Sequence, residues 1–337
     1  MRALTLSSTG LSLRSDWPAP TPSEGDVLVR VLIAGVCDTD LQLIAGYMGF
    51  AGVIGHEFVG VAESGRFAGQ RVVGEINCSC WTCETCRRGL HTHCPNRTTI
   101  GIAGRDGAFA DVVSVPQRNL HVVPDSIPTD AAVFVEPLAA AFQIPSQISV
   151  KRGDRVVVLG DGRLGNLCAQ VLATFTEQLL VVGKHPEKLA LLQSLGLNTC
   201  LLQDAPLDDR ADIVVDCTGS ESGLPTALTL VRPRGTIVLK TTVADRNPLR
   251  SSSFGGQEGP RRMDVSLSPI VIDEITVVGS RCGPFDRALA ALESGDVQVL
   301  PLISERFDLS QGVQAVERAG APGVLKVLLD ISPDAAR

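Results

Sequence analysis

The chain has 337 residues, 44% hydrophobic and 20% charged, with a formal net charge of −7. That length suits two domains and carries enough apolar material for a packed core, which excludes a mainly disordered chain. The acidic balance and the 4% aromatic content argue against nucleic acid or an anionic membrane as partner, and no apolar run reaches the ~18 residues of a membrane span.

The N-terminal stretch MRALTLSSTGLSLRSDWPAP passes straight into strand-like alternation, without a secretory apolar segment, so a cytoplasmic protein is expected. Over the first ~140 residues, apolar and polar positions alternate between Gly- and Pro-containing turns. This predicts short strands at Asp26–Ile33, Val59–Glu63 and Gln70–Glu75.

Two groups of residues in this stretch carry metal chemistry. Cys37-Asp38-Thr39-Asp40 and Gly55-His56-Glu57 offer a thiolate, an imidazole and a carboxylate. Glu136, in Val135-Glu136-Pro137-Leu138, adds a carboxylate inside an apolar run, where an unpaired charge is costly to bury. Singly, these residues read equally well as a core thiol, a core histidine and a surface charge. Together they match a catalytic zinc with three protein ligands and an open position. Downstream, Cys78, Cys80, Cys83, Cys86 and Cys94 fall within seventeen residues. Without an export signal, such spacing reads as metal ligation rather than a disulfide framework. Cys80, Cys83, Cys86 and Cys94 supply four thiolates for one tetrahedral zinc, a closed and therefore structural site. Cys78 leaves an alternative ligand set open, and an iron–sulfur cluster is the weaker reading of the same thiols. His91 and His93 are read as exposed loop histidines.

From Arg155 the rhythm becomes strand, helix, strand. Strands are predicted at 155–160, Leu179–Val182, Asp212–Cys217 and Gly235–Lys240, with helices at Leu164–Phe175, Pro186–Leu195 and Gly223–Val231. This alternation implies a doubly wound parallel sheet. Gly160-Asp161-Gly162-Arg163-Leu164-Gly165 joins the first strand to its helix, where a dinucleotide fingerprint belongs. Gly160 makes the tight turn, Gly162 admits the pyrophosphate, and Gly165 lets helix and strand pack closely. The end of the second strand, where an NAD site has a carboxylate, is Gly183, followed by Lys184 and His185. With no carboxylate there and two groups able to carry positive charge, NADP is expected in preference to NAD. If Lys184 and His185 form only a solvated turn, NAD is the alternative. The Gly/Ser-rich segment 244–264, with Arg246, Arg250, Arg261 and Arg262, reads as a long inserted loop. After Ile275–Gly279, a helix at Phe285–Ser294 and a strand at Gly323–Asp330 are expected to return to the first domain.

Taken in order, these motifs resemble the zinc-containing medium-chain dehydrogenase/reductase family, which includes alcohol, sorbitol and threonine dehydrogenases. The resemblance covers nearly the whole chain and implies an α/β fold. A GroES-like β-rich catalytic domain would span 1–145 and 281–337, with the structural-zinc lobe at 78–95. A Rossmann doubly wound parallel-sheet domain would span 146–280, with the active site in the cleft between the two. Cys37 and His56 match the family's zinc ligands. Glu57 matches a residue that is a ligand in some members and a neighbour in others. Glu136 matches a third ligand or a carboxylate contacting the zinc water. By the same resemblance, Thr39 receives the substrate proton, Asp40 orients the zinc histidine, and Lys326 lies near the cofactor pyrophosphate. Gln42 stands where the family often has a proton-relaying histidine, and glutamine cannot act as a base. Tyr47 and Phe109 are candidates to orient the substrate.

The resemblance further implies two zinc ions per chain, NADP or NAD, and a small-molecule alcohol or carbonyl substrate. The reaction would be hydride transfer between a secondary alcohol, polyol or amino alcohol and its ketone or aldehyde. A homodimer or homotetramer is expected. The rivals are a non-catalytic dinucleotide sensor and a zinc-free quinone or enone reductase, and Cys37, His56 and Glu136 speak against both.

Overall fold

Alternation over 26–35 produces β1 (Asp26–Gly35), in which every second residue is buried up to Val31 and every residue from Leu32 to Gly35 is buried. That change marks where the strand runs from a half-solvated sheet into the centre of the protein. The computed structural model describes residues 1–242 and 265–332, so the 244–264 segment lies outside the described residues. After β1 the chain turns at Cys37 into α1 (Asp38–Ile44), then returns antiparallel as β2 (Glu57–Ala62), with Gly35 opposite Glu57. β3 (Arg71–Gly74), β4 (Val112–Pro116) and β5 (Leu120–Val122) extend the same sheet. The three strands predicted in this stretch all form, with ends shifted by one or two residues.

The helix α2 (Val135–Gln147) was not anticipated, because its prolines and apolar content read as a buried run. Its signal is nonetheless present. Val135, Leu138, Ala139 and Phe142 are buried at helical spacing. Pro137 sits in the first turn, where no intrahelical N–H is needed.

The predicted alternation follows, with β8 added and β10 starting four residues early: β6 (Arg155–Leu159), α3 (Arg163–Ala173), β7 (Gln178–Gly183), α4 (Pro186–Ser194), β8 (Thr199–Leu201), β9 (Ala211–Asp216), α5 (Gly223–Leu230), β10 (Val231–Leu239) and β11 (Thr276–Gly279). The spatial order is β8-β7-β6-β9-β10-β11, and every neighbouring pair is parallel. This is the order of a dinucleotide-binding sheet, whose ligand crevice opens at the carboxyl ends of β6 and β9, where the winding reverses. The chain ends with α6 (Phe285–Ser294), β12 (Ile303–Asp308), α7 (Gly312–Ala319) and β13 (Lys326–Asp330). β13 pairs antiparallel with β1, placing Leu328 opposite Gly35. One apolar core runs through both sheets, from Ile33 and Val59 through Leu138 and Phe142 to Val158, Leu167 and Phe285. Among the described residues no helix is long and apolar enough to cross a membrane.

Candidate metal and dinucleotide sites

The first site forms where β1 gives way to α1. Asp40 is fully buried, and its carboxylate accepts the Cys37 backbone N–H at 2.8 Å, fixing the turn that presents the thiol. Its other oxygen lies 3.4 Å from His56 Nδ1. A carboxylate behind one ring nitrogen leaves the other as the ligand atom, and the ring also meets the Cys37 thiol. Burial alone would raise the thiol and weaken the imidazole as a base. Each effect is reversed by the charges opposite: His56 draws the thiol down, while Asp40 and Cys37 hold the ring well above its ordinary range. Buried anions gathered in this way call for a cation. The ligand atoms of Cys37, His56 and Glu57 all lie within 4.8 Å of one another, which suits a thiolate–imidazole–carboxylate zinc site.

Glu57 starts β2, and its Oε2 forms an ion pair with Lys326 Nζ, which also lies 3.4 Å from the Val36 carbonyl. Both side chains are buried. Room for them comes from Gly35, where a Cβ would stand 2.8 Å from both Glu57 Oε2 and Lys326 Cε. Lys326 is the residue expected near the cofactor pyrophosphate. Because β13 lies beside β1, Lys326 sits beside the Cys37 turn, where it pairs with Glu57. Thr39 Oγ1 is 3.8 Å from Cys37 Sγ. Glu136, in the first turn of α2, is not among the three clustered ligands. Burial raises its pKa against the pull of His56, Lys240 and Arg281. Lys240 was missed from sequence. It is buried at the end of β10 and donates to the Arg281 carbonyl at 2.6 Å and to Ser280 Oγ at 3.2 Å. A lysine closing an apolar strand was the only signal, and its neighbours come from another element. Phe109 is not a pocket residue. It is fully buried against Gly55, where a Cβ would overlap its ring. Tyr47 is partly buried against the β1 core.

The second site is the cysteine lobe. The ligand atoms of Cys80, Cys83, Cys86 and Cys94 lie within 4.8 Å of one another. The Sγ atoms of Cys94 and Cys80 are 3.5 Å apart, and those of Cys83 and Cys94 are 3.8 Å apart. Tetrahedral Zn–S bonds require a sulfur–sulfur separation of about 3.8 Å, so the four thiols fit. Hydrogen bonds from Thr82 draw Cys80 down to about 5, while burial and neighbouring thiols push Cys86 up to about 12. Crowded thiols share protons in this way, and a divalent cation would take all four as thiolates. Cys78 stands outside the group, buried and raised to about 11 by that burial. His91 packs on Trp81 with ring centroids 3.7 Å apart, and His93 is exposed.

The third site is the turn between β6 and α3. Gly160 has φ +117°, a conformation that excludes most side chains, and a Cβ on Gly165 would overlap the Gly160 carbonyl. Gly162 has open space around it and begins α3 with no side-chain cap, leaving the first N–H groups of the helix free for an anion. Leu164 is half-buried against the sheet core. The Arg163 guanidinium turns away toward the metal site, donating to the Val36 carbonyl at 3.0 Å and pairing with Asp38. The space at Gly183 differs from the sequence expectation. A Cβ there would overlap the Asp161 carboxylate and stand 2.7 Å from Asp161 Cβ. A carboxylate is therefore present at the end of β7, delivered by the glycine-rich turn. Lys184 and His185 are exposed.

Residues 23–125 match the alcohol dehydrogenase GroES-like domain model. A sorbitol dehydrogenase of Halalkalibacterium halodurans is 27% identical over 355 residues, covering 98% of this chain and 99% of that protein. A zinc-binding dehydrogenase of Sinorhizobium meliloti 1021, solved bound to NADP, superposes with a TM-score of 0.85 at 26% identity, covering 98% of this chain and 99% of that one. A short chain alcohol dehydrogenase of Escherichia coli CFT073, solved with NADH, gives 0.84 at 26% identity and the same coverage. The fold is thus a GroES-like β-domain joined to a doubly wound dinucleotide sheet. Over nearly its whole length the chain is similar to zinc-containing dehydrogenases of the medium-chain dehydrogenase/reductase type. It is an NAD(P)-dependent oxidoreductase of the alcohol dehydrogenase type, and neither rival reading is favoured.

Proposed function

We propose that the chain interconverts a secondary alcohol of the polyol or amino-alcohol type with its carbonyl product, in a cleft between residues 1–145 with 281–337 and residues 146–280. The observation that carries this reading is the meeting of Cys37, His56 and Glu57 within 4.8 Å, tied through Arg163 to the glycine-rich turn. Held by these three residues, zinc would supply Lewis acidity toward the substrate oxygen, with the nicotinamide exchanging hydride. Asp40 fixes the His56 tautomer, and Lys326 balances Glu57. Thr39 Oγ1 takes the substrate hydroxyl proton and passes it to solvent, since Gln42 offers no base. The four cysteines hold a second, structural zinc. Lys184 and His185 favour a 2′-phosphate, Asp161 opposes one, and their balance sets the choice between NADP and NAD. The gathering of Cys80, Cys83, Cys86 and Cys94 as metal ligands fits a reducing, cytoplasmic compartment. An alcohol panel followed by nicotinamide absorbance tests the reading, and no turnover of any secondary alcohol by the two-zinc protein overturns it.

Glu136→Gln is expected to retain both metal ions while lowering kcat/KM about ten- to a hundredfold, as loss of a supporting carboxylate does. Metal analysis beside steady-state kinetics checks this, and loss of one ion in the variant would make Glu136 a ligand.

Self-association as a homodimer or homotetramer is supported by β11. It is the last strand of its sheet, with Val277 exposed and Leu267, Val271 and Ile272 exposed beside it. Val271→Asp with Ile272→Asp is expected to lower the solution mass measured by light scattering.

A further inference from the structure

We propose that Asp161, the second residue of the glycine-rich turn, selects the cofactor in place of a residue at the end of β7, and that it selects NAD over NADP. This rests on the dinucleotide reading of that turn. Asp161 is buried although Gly162 beside it faces open space. Its side chain points across to the β7–α4 connection. There Oδ2 accepts the backbone N–H groups of Lys184 and His185, each at 2.7 Å. Its two oxygens lie 2.9 and 3.1 Å from His185 Nδ1.

The glycine at 183 and the acid at 161 are therefore one device. A side chain at 183 would begin in the volume that the Asp161 carboxylate fills. Gly183 provides clearance for an anion that the protein already carries, rather than a vacancy for a phosphate.

Three consequences bear on a 2′-phosphate. The two N–H groups entering α4, which would otherwise cradle an anion, are committed to Asp161. His185 Nδ1 is committed as well. A carboxylate held by these donors also stays ionised. Burial raises its pKa, but the hydrogen bonds from His185 and Lys184 bring it below the ordinary range. A dianionic phosphate next to it meets like charge, whereas a ribose hydroxyl meets an acceptor with lone pairs to spare. The exposed Lys184 ammonium is screened by water and offsets only part of this repulsion.

The test is titration of the zinc-loaded protein with NADH and with NADPH, read by nicotinamide fluorescence, alongside melting temperature without nucleotide. The unaltered chain is expected to bind NADH about tenfold or more tightly than NADPH. Asp161→Asn removes the charge at nearly constant shape and is expected to tighten NADPH about tenfold while changing NADH only a few-fold. Gly183→Asp alone sets two carboxylates in one space and is expected to lower the melting temperature without gaining NAD preference. Combined with Asp161→Gly, it moves the carboxylate to β7 and is expected to restore both stability and NADH preference. An unaltered chain that prefers NADPH, or an unchanged ratio in Asp161→Asn, overturns the role of Asp161 and leaves it as a brace of the β7–α4 turn. Failure of the unaltered chain to bind either nucleotide overturns the dinucleotide reading itself.

Discussion

Replacing Cys37 or His56 by alanine is expected to abolish turnover while leaving one metal ion per chain. Each change deletes one of three clustered ligands and leaves the others in a buried pocket with Asp40 behind it. The remaining ligands lack the donor count that a catalytic zinc needs. Several kcal/mol of charge stabilisation at the substrate oxygen then disappear, which corresponds to roughly a thousandfold or more in kcat. The cysteine lobe uses none of these residues, so its ion remains. Metal analysis and single-turnover kinetics check this together. Substantial activity in Cys37→Ala with one ion bound removes the first site from the mechanism.

Changing Cys86 or Cys94 to serine is expected to have the largest effect on stability. Both thiols are buried, whereas Trp81 and Leu90 in the same lobe are exposed, so the lobe encloses little apolar surface. Its order depends on the metal and on a few polar ties. Ser79 Oγ donates to the His91 carbonyl at 2.6 Å, and Arg281 donates to the Thr92 carbonyl at 2.7 Å. Metal binding in such a segment is folding energy. Losing it should cost about 3 kcal/mol or more, a fall of roughly 4 °C or more in Tm for a chain of this size. Calorimetry before and after chelation gives the same reading without mutation. An unchanged Tm with full metal content in Cys94→Ser shows that the lobe holds itself.

Contiguity explains what was legible. Four cysteines within fifteen residues need no tertiary information to form a closed site, because a short loop brings their thiolates together. The glycine-rich turn was equally plain, since its phosphate-binding groups are the backbone of one strand-to-helix junction. The helix Val135–Gln147 was overlooked because its prolines masked a helical spacing that burial then revealed.

Residue types and local spacing thus determined the architecture, the cysteine site and the candidate ligands Cys37, His56 and Glu57. Tertiary structure alone decided how those ligands are completed. Lys326 reaches Glu57 across 269 residues of chain because β13 pairs with β1. Asp161 reaches the end of β7 because Gly183 leaves it room. In both cases a charge finds its partner through strand register and the direction of one side chain. Neither is encoded by nearest neighbours, because burial energy acts on the assembled surface and not on the segment.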